Sequence, residues 1–246
     1  MHARPKMIIF VLGEPEIDRL GYEKFGRELL TNDDVLILSI DVSKSNKLIK
    51  ILKSRGLYSR GQVLAKSPYG ADSYEEITNA SYAFAVEKYM YFSQLCNILG
   101  AKEVTVQRLD KVSRSGTKSL DFMAMISGQK QELSIKDKDL NKLQSQISIK
   151  DVFVGGTPNI REAQVFLEKN NLLGDETMLS LLEIRQQTAN PISSRQLTLN
   201  LSNESKKIID VVGKIRLPTY LSEITSSFNS TIRNSVEYML TMEVKF

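Results

Sequence analysis

The chain has 246 residues, of which 41% are hydrophobic and 25% charged; this ordinary globular balance excludes wholesale disorder and a fibrous repeat, and the length suffices for one large domain or two small ones. The formal net charge is only +4, so any strongly basic character must be local. A lone cysteine, Cys96, excludes an internal disulfide, and its place in an apolar run predicts a buried, inert thiol in a reducing, cytoplasmic compartment.

Met7 to Leu12 (MIIFVL) and Val35 to Asp41 (VLILSID) are short runs rich in branched residues, and Ile17 to Leu30 between them has helical spacing. Together they predict a strand, helix, strand unit. The apolar part of the start is too short for a signal-peptide core. A second helix near Lys44 to Ser54 puts Leu48, Ile51 and Leu52 on one face with Lys47, Lys50 and Lys53 opposite, so it is amphipathic and basic.

Ser73 and Glu76 have the spacing of a capping box, which predicts that a long helix starts there and runs to Leu99, ended by Gly100. Tyr82, Phe84, Val86, Tyr89, Met90, Tyr91, Phe92, Leu95, Ile98 and Leu99 cover most of its circumference, the mark of a central helix buried on several sides. Charged and polar residues interrupt the stretch, and a membrane-spanning helix needs about 20 predominantly apolar residues, so a soluble protein is expected.

From Glu103 to Val154 the period changes to two, in EVTVQRL, SLDFMAMIS, QELSIK and QISIKDVFV, as in an antiparallel meander. Thr157 and Pro158 then mark the start of a helix to about Lys169, and another is expected from Asp175 to about Gln187. The last third holds a strand (RQLTLNLS) and a helix from about Asn203. Tyr220, Ile224, Phe228 and Ile232 share a parity, which suggests an extended segment forming a hairpin with Val236 to Phe246; a short helix is the other reading. A weak repetition links the helix ending near Gly100 and the hairpin after it with the helix ending near Gly213 and the hairpin after it, a likeness that any two hairpins share.

The expected fold class is therefore α+β: an N-terminal α/β unit with the basic helix (1–70), a central helix plus antiparallel meander (71–154), and a helical pair with a C-terminal hairpin (155–246), possible as one continuous domain. No stretch resembles a known family closely enough to add to this.

Catalytic signals are sparse. The one histidine, His2, leaves no Ser-His or Cys-His pair, and one His with one Cys makes no zinc site. No glycine-rich phosphate loop is present, so no cofactor or metal is expected. Ser115 and Lys118 match a Ser/Lys nucleophile spacing, but in a hairpin loop rather than at a buried helix start. Glu14 and Asp41 follow strand ends, where open α/β sheets place ligands, and are the candidates for a ligand site.

The charge pattern is more specific. Between Asp41 and Asp72 the chain has no acidic residue, while Lys44, Lys47, Lys50, Lys53, Arg55, Arg60 and Lys66 supply seven positive charges. This predicts a surface for an anionic partner, either a nucleic-acid backbone or an anionic membrane; a solvated helix face is the plainer reading. In Val236 to Phe246, alternate residues Val236, Tyr238, Leu240, Met242, Val244 and Phe246 share one side of a strand. That side can pack on the core, recruit a protein partner or a second copy at a sheet edge, or enter a membrane.

Three functions follow as expectations. The first is a non-catalytic binding or assembly protein that uses the basic segment and the C-terminal strand. The second is a nucleotide-binding enzyme or sensor in the N-terminal unit. The third is a membrane-perforating protein whose hairpins refold.

Overall fold

The computed structural model of the chain describes residues 7–41, 47–69, 73–122, 137–187, 191–233 and 236–246. It is an α+β protein with two sheets, divided into two compact units. The first contains residues 1–83 and 204–235, the second residues 84–203 and 236–246.

In the first unit, β1 (Ile8–Leu12) pairs in parallel with β2 (Val35–Ser39), from Ile8 opposite Val35 to Leu12 opposite Ser39. Two short helices, α1 (Glu14–Leu20) and α2 (Lys24–Leu30), make the connection. Antiparallel β3 (Val63–Lys66) and β4 (Tyr74–Glu76) complete the order β2-β1-β3-β4. All of β1 is inaccessible to solvent, which explains its unbroken apolar run: a strand covered on both faces has no polar side to alternate with.

On one face Ile9, Val11, Leu38 and Leu64 form a cluster with Ile49 and Leu52 of α3 (Lys47–Ser54), closed by Tyr58 and Tyr74. Phe10 alternates to the other face and meets Phe228 with ring centroids 6.2 Å apart.

Phe228 belongs to α9 (Ser222–Arg233), which follows α8 (Asn203–Val212) and a short turn of 3-10 helix at Thr219–Leu221. Residues 222–233 are thus helical, not extended. A spacing of four satisfies both periods, and here Ile224 and Phe228 are buried along one side of the helix. The second hairpin and the weak repetition built on it fall away.

Tyr74–Glu76 is a second correction. Ser73 does not cap a helix, because the next three residues pair with β3, with Tyr74 opposite Lys66. Helix α4 (Ile77–Ile98) begins only at Ile77.

In the second unit the sheet order is β6-β5-β9-β8, from β5 (Glu103–Ser113), β6 (Gly116–Asp121), β8 (Ser194–Asn200) and β9 (Glu237–Lys245). The short β7 (Lys150–Val152) pairs with the start of β5. The register of β5 on β9 shifts at a bulge between Val106 and Arg108. The meander is real over β5 and β6, but Lys138–Gln144 is a helix, α5, capped by Asp137 through the amides of Asp139 and Leu140. QELSIK and residues 123–130 lie outside the described residues.

Helix α6 (Ile160–Lys169) is capped by Asn159, whose side chain accepts from the Glu162 amide, rather than by Thr157. Asp175 caps α7 (Glu176–Gln186), its side chain accepting from the Met178 amide.

Much of α4 is enclosed, with Phe84, Ala85, Phe92, Leu95 and Cys96 buried, although Met90 is exposed. Gly100 ends it with φ of 79°. A Cβ there would lie 2.2 Å from the Gly156 carbonyl oxygen, so this crossing of two backbone segments requires glycine. No helix among the described residues is long and apolar enough to cross a membrane.

Candidate functional site

The basic segment divides once its partners are known. Lys47, Lys50 and Lys53 are all exposed on α3, because Ile49 and Leu52 turn the opposite side into the sheet. The inward pair is Ile49 and Leu52, with Leu48 only partly buried. None of the three lysines is within ion-pair distance of a carboxylate among the described residues. Lys53 lies over the Tyr58 ring, 5.1 Å from its centroid, while Lys47 and Lys50 extend into solvent. At 1.5 Å of rise per residue the three span about 9 Å along the helix.

The two arginines are engaged within the fold. Arg55 pairs with Glu75 and donates to the Tyr74 carbonyl 2.9 Å away, fastening the end of α3 to β4. Arg60 forms a fork onto Glu16 at 2.6–3.1 Å, and this guanidinium holds the Glu16 carboxyl below its usual range. Lys66 sits in β3 opposite Tyr74 and is only partly exposed. Lys44 lies outside the described residues.

Glu14 and Asp41 are brought together at the ends of β1 and β2. The Glu14 amide donates to Asp41 Oδ2 at 2.9 Å, and the Ser39 hydroxyl donates to Glu14 Oε1 at 3.0 Å. The Tyr58 hydroxyl donates to the Ser39 carbonyl at 2.6 Å; burial, then the charge of Asp41, pushes the Tyr58 pKa up. Both carboxylates are exposed and satisfied by their neighbours, so their visible work is to fasten α1 to the loop after β2. The described residues contain no group of acidic, His or Cys side chains suited to a metal ion.

Lys118 donates to Asp137 at 2.9 Å, and Lys111 reaches both Asp137 and Asp139. Lys118 is thus engaged with Asp137, while the Ser115 hydroxyl meets that of Ser113 at 2.9 Å. Cys96 is fully buried, and burial followed by the nearby Asp151 charge raises its thiol well above its usual value, which leaves it unreactive.

The apolar side of the C-terminal strand faces the interior: Tyr238, Leu240, Met242 and Val244 are buried. Strand β9 pairs with β5 on one side and β8 on the other, so residues 237–245 present no free strand edge to a partner. Their alternation is that of a central strand with one covered face.

Sequence reasoning missed one ionic feature. Lys88, in the middle of α4, is fully buried and lies 2.6 Å from Asp175 Oδ2. A lysine inside the most apolar helix of the chain was the available signal, since such a charge is buried only with a partner. No family model, curated protein or solved structure matches the chain.

Proposed function

We propose that the protein is a non-catalytic nucleic-acid-binding module whose contact surface is the outward face of α3. The observation that carries this reading is the set Lys47, Lys50 and Lys53, exposed at intervals of three residues with no carboxylate partner among the described residues. Ammonium groups on a rigid helix match a row of phosphates, and binding is driven by release of the counterions condensed on the polyanion.

A second anionic partner, the lipid headgroup layer, fits less well. A helix that lies in a membrane interface inserts its apolar face, whereas the apolar face of α3 is packed on β1, β2 and β3. Only the screened attraction of three charges would remain. Among the described residues no aromatic stacking platform stands beside the lysines, because Tyr58 is buried and gives its hydroxyl to Ser39. This favours backbone contacts without base recognition.

The test is a titration of fluorescently labelled duplex and single-stranded nucleic acid, at low and moderate salt, beside vesicles of mixed anionic and neutral lipid. Wild type is expected to bind nucleic acid in a salt-sensitive manner, and Lys47→Glu/Lys50→Glu/Lys53→Glu to fold normally and lose that binding. Equal binding by the triple variant would refute the assignment, and binding to vesicles alone would replace nucleic acid by lipid.

A further inference from the structure

We infer that the anionic partner of α3 is double-stranded DNA, met across its major groove with Lys47 and Lys53 against phosphates on opposite walls and Lys50 between them. This rests on the reading of α3 as a nucleic-acid surface and adds which form of nucleic acid fits it. Three residues of α-helix turn the chain by about 300°, so each lysine is displaced by about 60° from the one before it. Lys47 and Lys53 therefore lie about 120° apart, on the two flanks of the exposed side. At a radius of about 6 Å the two flanks are about 10 Å apart across the helix as well as 9 Å along it, which separates them by about 14 Å at the helix surface.

Such a convex fan suits a concave surface with phosphates on both sides. The major groove of B-form DNA is about 12 Å wide and is the groove that admits a helix, whereas the minor groove is about half as wide. In duplex RNA the major groove is deep and narrow. The fan also keeps its shape. Ile49 and Leu52 are set into the core of the first unit, Arg55 ties the end of α3 to the Tyr74 carbonyl, and the Leu57 amide returns to the Leu52 carbonyl at 2.8 Å. Lys53 is steadied on its flank by the Tyr58 ring.

A single strand is held differently. Proteins that bind it without sequence preference add aromatic side chains on which its bases stack. The tyrosines within the basic segment are withdrawn from that use, Tyr58 being 7% and Tyr69 3% exposed. Attraction to phosphate is then left to decide, and the duplex carries the denser charge: each contact contributes a salt slope of about −0.9 on duplex DNA and about −0.7 on a single strand. Of the carboxylates close in the chain or the fold to α3, Glu75 is paired with Arg55 and Asp41 accepts from the Glu14 amide.

The full-length chain is titrated with a labelled DNA duplex, each of its separated strands, and duplex RNA of the same sequence, at several salt concentrations. Duplex DNA is expected to bind at least about fivefold more tightly at low salt than either single strand or the duplex RNA. Lys47→Gln and Lys53→Gln, both at exposed positions, are each expected to make the duplex slope shallower by about 0.9. A single strand bound as tightly as the duplex, duplex RNA bound as tightly as duplex DNA, or an unchanged slope for either variant would overturn the inference while leaving α3 as a nucleic-acid surface. Wild type that binds none of the four would overturn that reading as well.

Discussion

Replacing Lys88 with Met tests how the second unit is held together. Lys88 has no solvent exposure, the Asp175 side chain is 4% exposed, and the two lie 2.6 Å apart. Taking away the ammonium leaves a buried carboxylate that retains the Met178 amide at 2.8 Å as a donor. Breaking a buried pair from one side costs about 3–5 kcal/mol, whereas neutralising both partners is often close to neutral. Against a typical total of about 5–15 kcal/mol the single change is severe. With a urea dependence of about 3 kcal/mol/M, the unfolding midpoint should fall by roughly 1–2 M. Lys88→Met/Asp175→Asn should recover most of this, because asparagine caps a helix about as well as aspartate. Since the chain has no tryptophan, far-UV circular dichroism and tyrosine fluorescence are the probes. A single variant that loses less than about 1 kcal/mol, or a double variant no more stable than the single, would refute the reasoning.

Acid should weaken the second unit in a defined window. Hydrogen bonds from Lys150 and then Lys245 hold the Glu103 carboxyl at about 2; for Asp137 burial acts upward, but Lys118, Lys111 and the Leu140 amide outweigh it and hold it at about 2. Both folded values lie below the ordinary 4.5 and 3.8, so the stability they supply is complete above those values and is lost as pH falls toward 2. Urea midpoints at about pH 3 and at neutral pH should therefore differ more for wild type than for Glu103→Gln/Asp137→Asn, and equal differences would contradict this. A glycine pair separates strain from collision. Gly56→Ala, at φ of 70° with no atom within 4 Å of the new Cβ, should cost about 1–2 kcal/mol in urea unfolding. Gly100→Ala should cost clearly more, because its Cβ also meets the Gly156 carbonyl oxygen at 2.2 Å.

The parts of the fold that could be read in advance are those with one dominant period. Residues 8–12 and 35–39 are strands with long apolar runs, and Tyr238 to Val244 alternates as a half-covered strand must. Tyr220, Ile224 and Phe228 could not be assigned by spacing alone, since residues four apart share a side in a strand and nearly so in a helix. Ser73 and Glu76 satisfied a local capping rule, but pairing of Tyr74 opposite Lys66 prevailed over it. The candidate surface was legible for Lys47, Lys50 and Lys53, whose position opposite an apolar stripe predicts exposure. It was not legible for Arg55 and Arg60, because counting charge along the chain is blind to Glu75 and Glu16, which the fold brings to them.

The most direct test of the α3 surface is the salt dependence of nucleic-acid affinity. Each phosphate neutralised on duplex DNA contributes a slope of about −0.9 to log K against log salt, so three lysines contribute about −2.7. Lys47→Gln/Lys50→Gln/Lys53→Gln removes the charges without introducing repulsion. The account predicts that its slope is shallower than that of wild type by about 2–3, with the folded state unchanged by circular dichroism. An identical slope, or no binding by wild type even at low salt, would contradict it.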